Sequence, residues 1–223
     1  MAADVRSDRP ATGRRLKTHR RNSVLAIAGV AAFVVLAVGA GFVFRTRTAS
    51  PQLAGGTFTD TPAAPEFSLT DQNGRTVTMS STLGKVVAVT FLYTHCPDIC
   101  PTIANKMAGT VTQLGAQASS VEMLAVSMDP RGDTFPAIKK FTADHGLDDY
   151  ANWHYLIGSP SQLSAVWEAY HVGVEPSQDP SSVFVGHSAL LYIVDKQGKL
   201  RVLLDANFSP GDFLKDIRAL LGA

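Results

Sequence analysis

The sequence predicts an α/β fold, and three observations predict it. Two almost uninterrupted runs of β-branched and apolar residues, Lys85–Tyr93 (KVVAVTFLY) and Val121–Met128 (VEMLAVSM), read as buried central strands. Each is followed by helix-start chemistry, Pro101 after the first and Asp133 after the second. The chain then closes on a hairpin and an amphipathic helix, so strands and helices alternate.

Taken in order, the 223 residues begin with a basic head. Residues 1–23 carry Arg6, Arg9, Arg14, Arg15, Lys17, Arg20 and Arg21 against Asp4 and Asp8. Ser23 to Phe44 is uncharged and would span roughly 30 Å as a helix, the thickness of a bilayer core. The excess of Lys and Arg before this run places residues 1–22 in the cytoplasm as a basic tail. It makes 23–44 a single-pass cell-membrane anchor and puts everything after it outside the cytoplasm. A cleaved signal peptide is the rival reading, with small residues at Val38-Gly39-Ala40, but the run continues apolar beyond them and stops at Arg45.

Residues 45–65 are rich in Thr, Ala, Pro and Gly and read as a flexible linker, leaving 66–223 as the folded domain. Residues 45–223 hold 13 basic and 17 acidic side chains. That mildly acidic balance excludes nucleic-acid binding.

Within the domain, Glu66–Leu69 and Arg75–Met79 flank the turn Asp71-Gln72-Asn73-Gly74, a hairpin signal. The strand Lys85–Tyr93 leads to a helix from Pro101 to about Gln117. Val121–Met128 leads to a helix over Thr134–His145, capped by Asp133, with Phe135, Ile138 and Phe141 at three-residue steps and Gly146 at its end. Trp153–Ile157 is a strand, with both Trp153 and Trp167 expected in the core, and Ser159-Pro160 starts a helix through about His171. Residues 172–186, with Pro176 and Pro180, read as an irregular or hairpin insertion. Ser188–Val194 and Leu200–Leu204 form a hairpin about Asp195–Gly198, and Ser209-Pro210 starts a last helix with Phe213, Leu214, Ile217 and Leu220 on one face. This order is that of a thioredoxin-like sandwich with an N-terminal hairpin.

The chemistry gathers in Thr94-His95-Cys96-Pro97-Asp98-Ile99-Cys100-Pro101, where the first central strand meets its helix. Cys96 and Cys100 are the only cysteines. A disulfide between them would close too short a loop to stabilise much as a staple, so the pair reads as chemistry. Free amides and the positive end of a helix favour thiolates at such an edge, and a four-residue step brings both sulfurs to one face. Two thiolates are soft ligands, suited to Cu(I), zinc or iron–sulfur sites. The last two ordinarily need further ligands that the chain does not supply as cysteine.

An imidazole would extend the pair to a Cys2His set able to hold both Cu(I) and Cu(II). His187, just before a strand expected to lie beside the one that ends at Cys96, leads the candidates, although spacing alone does not decide for it. His19 lies on the far side of the membrane. His145 and His171 fall at helix ends, His154 reads as a hydrogen-bonded core residue, and His95 points away from Cys96 by the alternation of extended chain. Asp98 is expected to satisfy free amides at the helix start, and Asp129 and Asp133 to form a turn and a cap.

The stretches FLYTHCPDICPT and SMDPRGDT, with His187, resemble the Sco/SenC copper chaperones of cytochrome c oxidase assembly over roughly residues 62–221. The resemblance implies that Cys96, Cys100 and His187 ligate copper. It also implies that the client is the dinuclear copper site of oxidase subunit II, supplied through an unidentified copper donor. One departure stands out: the family commonly carries an acidic residue just before the ligand histidine, and here the residue is Gly186.

A metallochaperone rather than an enzyme is therefore expected, with a thiol–disulfide oxidoreductase using Cys96 and Cys100 as the alternative. Against that alternative stand the three residues between the cysteines and the sequence Val185-Gly186-His187 where such enzymes usually place a cis-proline. A peroxidase, with one activated cysteine and a nearby arginine, fits less well. A copper sensor is neither supported nor opposed by the residues.

Overall fold

The computed structural model describes residues 52–176, 184–187 and 189–222, with 175–176 and 184–187 as backbone. These fall within one compact unit, 51–223. Among the described residues no helix is long and apolar enough to cross a membrane. The basic tail 1–22, the anchor 23–44 and linker residues 45–51 lie outside the described residues.

A six-stranded sheet organises the domain. Its strands are β1 (Gly56–Thr57), β4 (Val86–Leu92), β5 (Val121–Ser127), β6 (Trp153–Leu156), β9 (Leu190–Val194) and β10 (Leu200–Asp205), in the order β1-β10-β9-β4-β5-β6. β4, β5 and β6 run parallel, while β9 is antiparallel to both β4 and β10. β4 is buried along its whole length, as its nearly continuous apolar run requires, with only Thr90 polar.

Alternation along β4 sends Val86, Ala88 and Leu92 to one face and Val87, Val89 and Phe91 to the other. The first face packs against helices α1 (Ile99–Leu114), α2 (Phe135–Asp144) and α4 (Pro210–Leu221). The second is covered by α3 (Pro160–Ala169) and by the hairpin of β2 (Ser68–Thr70) and β3 (Thr76–Thr78). This is the thioredoxin-like α/β sandwich expected. A separate antiparallel pair, β7 (Val174–Pro176) and β8 (Phe184–His187), occupies the 172–186 region.

Local chemistry explains the helix ends. Ser159 caps α3 in a complete capping box with Gln162, and Ser209 caps α4 by accepting from the Asp212 amide. α1 begins at Ile99 rather than Pro101, which puts the proline in the first turn, where its missing N–H breaks no helical bond. α2 corrects one expectation. Its cap is Thr134, whose hydroxyl accepts from the Ala137 amide, and not Asp133. Its first residue, Phe135, is 43% exposed. Each three-residue step falls about 60° short of a full turn, so Phe135 lies well round the helix from the buried Phe141.

Folded structure also starts earlier than the composition suggested. Gly56 pairs with Leu203 and Thr57 with Val202, inside the stretch 45–65 expected to be linker. The amides of Ala54 and Gly55 donate to the buried carboxylate of Asp216 on α4, at 2.5 and 3.0 Å, and fasten this edge.

His154 is a hydrogen-bonded core residue, as expected. Its two ring nitrogens lie 3.0 Å from Asp71 and 3.2 Å from Glu122 and tie the β2–β3 turn to the sheet. Burial alone would lower its pKa, but these carboxylates outweigh burial and raise it. Trp153 and Trp167 are buried in the core.

Candidate metal centre

Backbone hydrogen bonding between β4 and β5 ends where the Met128 amide donates to the Leu92 carbonyl at 2.8 Å, and the chain then turns sharply. The Cys96 amide donates back to the Tyr93 carbonyl at 3.2 Å, which brings the cysteine to the start of α1. Cys96 is 7% exposed and Cys100 fully buried, both as free thiols. His95, between them and Thr94, faces solvent, with Nδ1 3.2 Å from the Thr94 hydroxyl. It borders a cleft of about 220 Å3 between α1 and α2 that Lys140 and His145 also line.

Asp98 occupies the position before α1, but its side chain caps no amide, contrary to the sequence expectation. The Cys96 sulfur takes that role: the Cys100 amide, second in the helix, donates to Sγ at 3.4 Å. The helix end and the thiolate therefore stabilise each other.

This arrangement separates the two thiols electrostatically. The hydrogen bond donated by the Cys100 thiol, the amides of Asp98 and Cys100 and the Tyr93 hydroxyl together outweigh burial. They pull Cys96 down from 9.0 to about 5. Cys100 moves the opposite way, its proton held in the bond to Cys96 and its thiolate disfavoured by burial. Burial pushes Tyr93 up to about 12, with the Cys96 charge and the bond to it adding to the effect. Composition gave no notice of Tyr93 as a partner of Cys96; only its place at the end of β4, three residues before the cysteine, hints at it.

A direct consequence is expected in the apoprotein. Cys96 should be alkylated by iodoacetamide with a half-maximal rate near pH 5, and Cys100 should stay unreactive through pH 9. Mass spectrometry of peptides labelled across a pH series measures this. Two cysteines titrating together near 9.0 would contradict the assigned asymmetry.

The third expected ligand is placed by backbone. The register Thr90↔Leu191 and the bond from the Thr90 hydroxyl to the Leu190 carbonyl, 3.1 Å, set the start of β9 beside the end of β4 that leads to Cys96. His187 ends β8, three residues before Leu190, so the chain enters the sheet at the cysteine edge. The imidazole itself lies outside the described side chains. Across the β7–β8 pair, Glu175 stands opposite Gly186, so the strand facing that glycine carries an acidic residue.

Beneath the cysteine loop, the SMDPRGDT segment has turned inward. Asp129 closes its own turn by accepting from the amides of Arg131 and Gly132, at 3.1 and 2.9 Å. Asp133 accepts from the Thr94 amide at 2.8 Å. The donor chemistry of this edge fits a soft ion: one thiolate, kept ionised by the helix end, and a second thiol hydrogen-bonded to it.

The family model SCO1/SenC matches residues 57–222. A SCO2-like protein of Rickettsia typhi is 29% identical over 136 residues, which cover 60% of this chain and 65% of that protein. Its length is therefore spanned only in part. The copper-bound structure of Bradyrhizobium japonicum ScoI is 29% identical with a TM-score of 0.63, covering 71% of this chain and 99% of that one. A structure of BsSco, a protein with a disulfide switch and a member of the Sco family of cytochrome c oxidase assembly proteins, is 25% identical with a TM-score of 0.63. The alignment covers 76% of this chain and 98% of BsSco.

Proposed function

Because this chain belongs to the SCO1/SenC family, we propose that it binds copper through Cys96, Cys100 and His187 and passes it to the dinuclear copper site of cytochrome c oxidase subunit II. The observation that carries this reading is the thiolate–thiol pair at the start of α1. Cys96 is ready to ligate at neutral pH, whereas Cys100 must release its proton as the metal arrives, so uptake of copper is coupled to proton release. Copper is the cargo. A site with few protein ligands, at the edge where β4 leads into α1, holds it firmly enough to carry and loosely enough to hand on. His187 adds the harder nitrogen donor that Cu(II) needs and Cu(I) does not.

In this reading residues 1–22 are a cytoplasmic tail and 23–44 hold the protein in the cell membrane. The domain then works on the outer side, where the subunit II site is assembled and where a copper donor can reach it.

The same asymmetry favours a second reading, thiol–disulfide exchange. The Cys96 thiolate would attack a client disulfide and expel one client thiolate. Cys100, giving up its proton, would then attack Cys96 sulfur and release the second. The client gains two electrons, and the Cys96–Cys100 disulfide left behind requires an exported dithiol reductant to restore it.

Deleting the gene separates the two. Carriage of copper predicts an oxidase assembled without its subunit II copper and restored by added copper salts. Disulfide exchange as the main role predicts normal copper in the oxidase with unreduced disulfides in other exported proteins, and that outcome would overturn the first reading.

A further inference from the structure

We propose that Asp133 is the positioning residue of the metal loop, holding Thr94–Cys96 in its ligating conformation from beneath; this rests on the copper reading above. Asp133 is 4% exposed, and its carboxylate accepts hydrogen bonds from three residues. Oδ1 takes the Thr94 amide at 2.8 Å. Oδ2 takes the Ser127 hydroxyl at 2.6 Å and the hydroxyl of the fully buried Tyr155 at 3.2 Å. Its own amide donates to the Asp129 carbonyl at 2.9 Å. Four parts of the fold thus meet at one carboxylate: the loop after β4, the end of β5, β6 and the approach to α2.

Helix capping does not account for this residue, because Thr134 performs it. No cation pairs with it among the described residues. A carboxylate buried without a counter-charge is costly unless its hydrogen bonds are worth the desolvation. The bond of greatest consequence is the one to Thr94. Beyond Leu92 the main chain has left the sheet, and the Thr94 amide finds its acceptor 39 residues away in sequence. Two residues later comes Cys96.

The neighbouring surface interlocks in the same sense. A Cβ on Gly132 would come within 2.2 Å of Asp129 Oδ2 and 3.1 Å of His95 Nδ1, so glycine gives the 129–133 turn a close fit against the Asp129 carboxylate and the His95 ring. Loop 129–133 is therefore a template on which the ligand loop is moulded. Residues one step removed from a metal commonly govern how well the ligands are presented.

The test uses the full-length chain in detergent micelles, loaded with Cu(I), and follows transfer of copper to a Cu(I) chelator. Asp133→Ala should release copper about tenfold faster than wild type. In the apoprotein, its Thr94 amide should lose protection from hydrogen exchange. Asp133→Asn, which keeps an acceptor for that amide while the two hydroxyls rotate to meet the new NH2, should restore both. Tyr155→Phe, which removes only a hydroxyl bonded to Oδ2 and leaves the Thr94 bond in place, should lower thermal stability without changing copper release. Should Asp133→Ala fail to fold, Asp133→Glu, which displaces the carboxylate by a methylene, replaces it with the same expectation.

Wild-type release from Asp133→Ala, or equally fast release from Tyr155→Phe, would overturn the positioning role while the copper reading stands. A wild-type chain that retains no copper overturns that reading instead. Thr94 exchange then decides for Asp133 alone, and equal exchange in wild type and Asp133→Ala counts against it.

Discussion

Replacing Cys100 with serine should leave a folded chain that no longer retains copper. Cys100 is completely buried against Cys96 at the start of α1 and is one of only two thiolate donors in the sequence. A serine hydroxyl fills nearly the same space but is a hard, weakly acidic donor that does not satisfy Cu(I). Even residues one step removed from a metal are worth about 10–100-fold in affinity, so loss of a direct ligand should cost more than about 100-fold. Cys96→Ser should do the same by a second route, since the new oxygen still caps the Cys100 amide but lacks the thiolate's charge at neutral pH. Equilibrium dialysis gives the affinity, and thermal unfolding of the apoproteins confirms that the fold survives. Near-stoichiometric copper on either variant would mean that the metal sits elsewhere.

The second large effect is selective for oxidation state. His187→Ala should weaken Cu(II) binding by more than about 100-fold and abolish the sulfur-to-copper absorption of the Cu(II) form. Cu(I) should remain bound, though less firmly, because two thiolates can serve it without an imidazole. The mutation falls at the end of β8, outside the six-stranded sheet, so the apoprotein should unfold as the wild type does. An unchanged Cu(II) spectrum would remove His187 from the site and reopen the choice among the remaining histidines. His154 would be a poor substitute, since both its ring nitrogens are held by carboxylates.

The parts of this fold that depend on local pattern were legible in the sequence. β4 and β5 announce themselves because strands buried on both faces read as nearly continuous apolar runs, here broken only by Thr90, Glu122 and Ser127. The last helix does so because Phe213, Leu214, Ile217 and Leu220 share one face, and all four are buried. What escaped depends on partners distant in sequence. Asp133 and Thr134 are adjacent and both suit a cap, and it is the Thr94 amide, 39 residues away, together with the Ser127 and Tyr155 hydroxyls, that draws Asp133 inward. Asp98 obeys every local rule for a cap, yet a sulfur reached the amide first. β1 is two residues long and joins the sheet through its backbone, so it leaves no side-chain period to read. For the site, the two cysteines followed from their spacing and softness. His187 rested on the resemblance, and the strand order adds that the chain after it enters the sheet at the cysteine edge.

The most direct test of the central claim is the copper X-ray absorption spectrum of the full-length protein, loaded in turn with Cu(I) and Cu(II). Two sulfur neighbours and one imidazole nitrogen in the Cu(II) form, with the nitrogen lost in His187→Ala, is the result expected of a site built from Cys96, Cys100 and His187. A copper ion with no sulfur neighbours, or one whose nitrogen persists in His187→Ala, would contradict it.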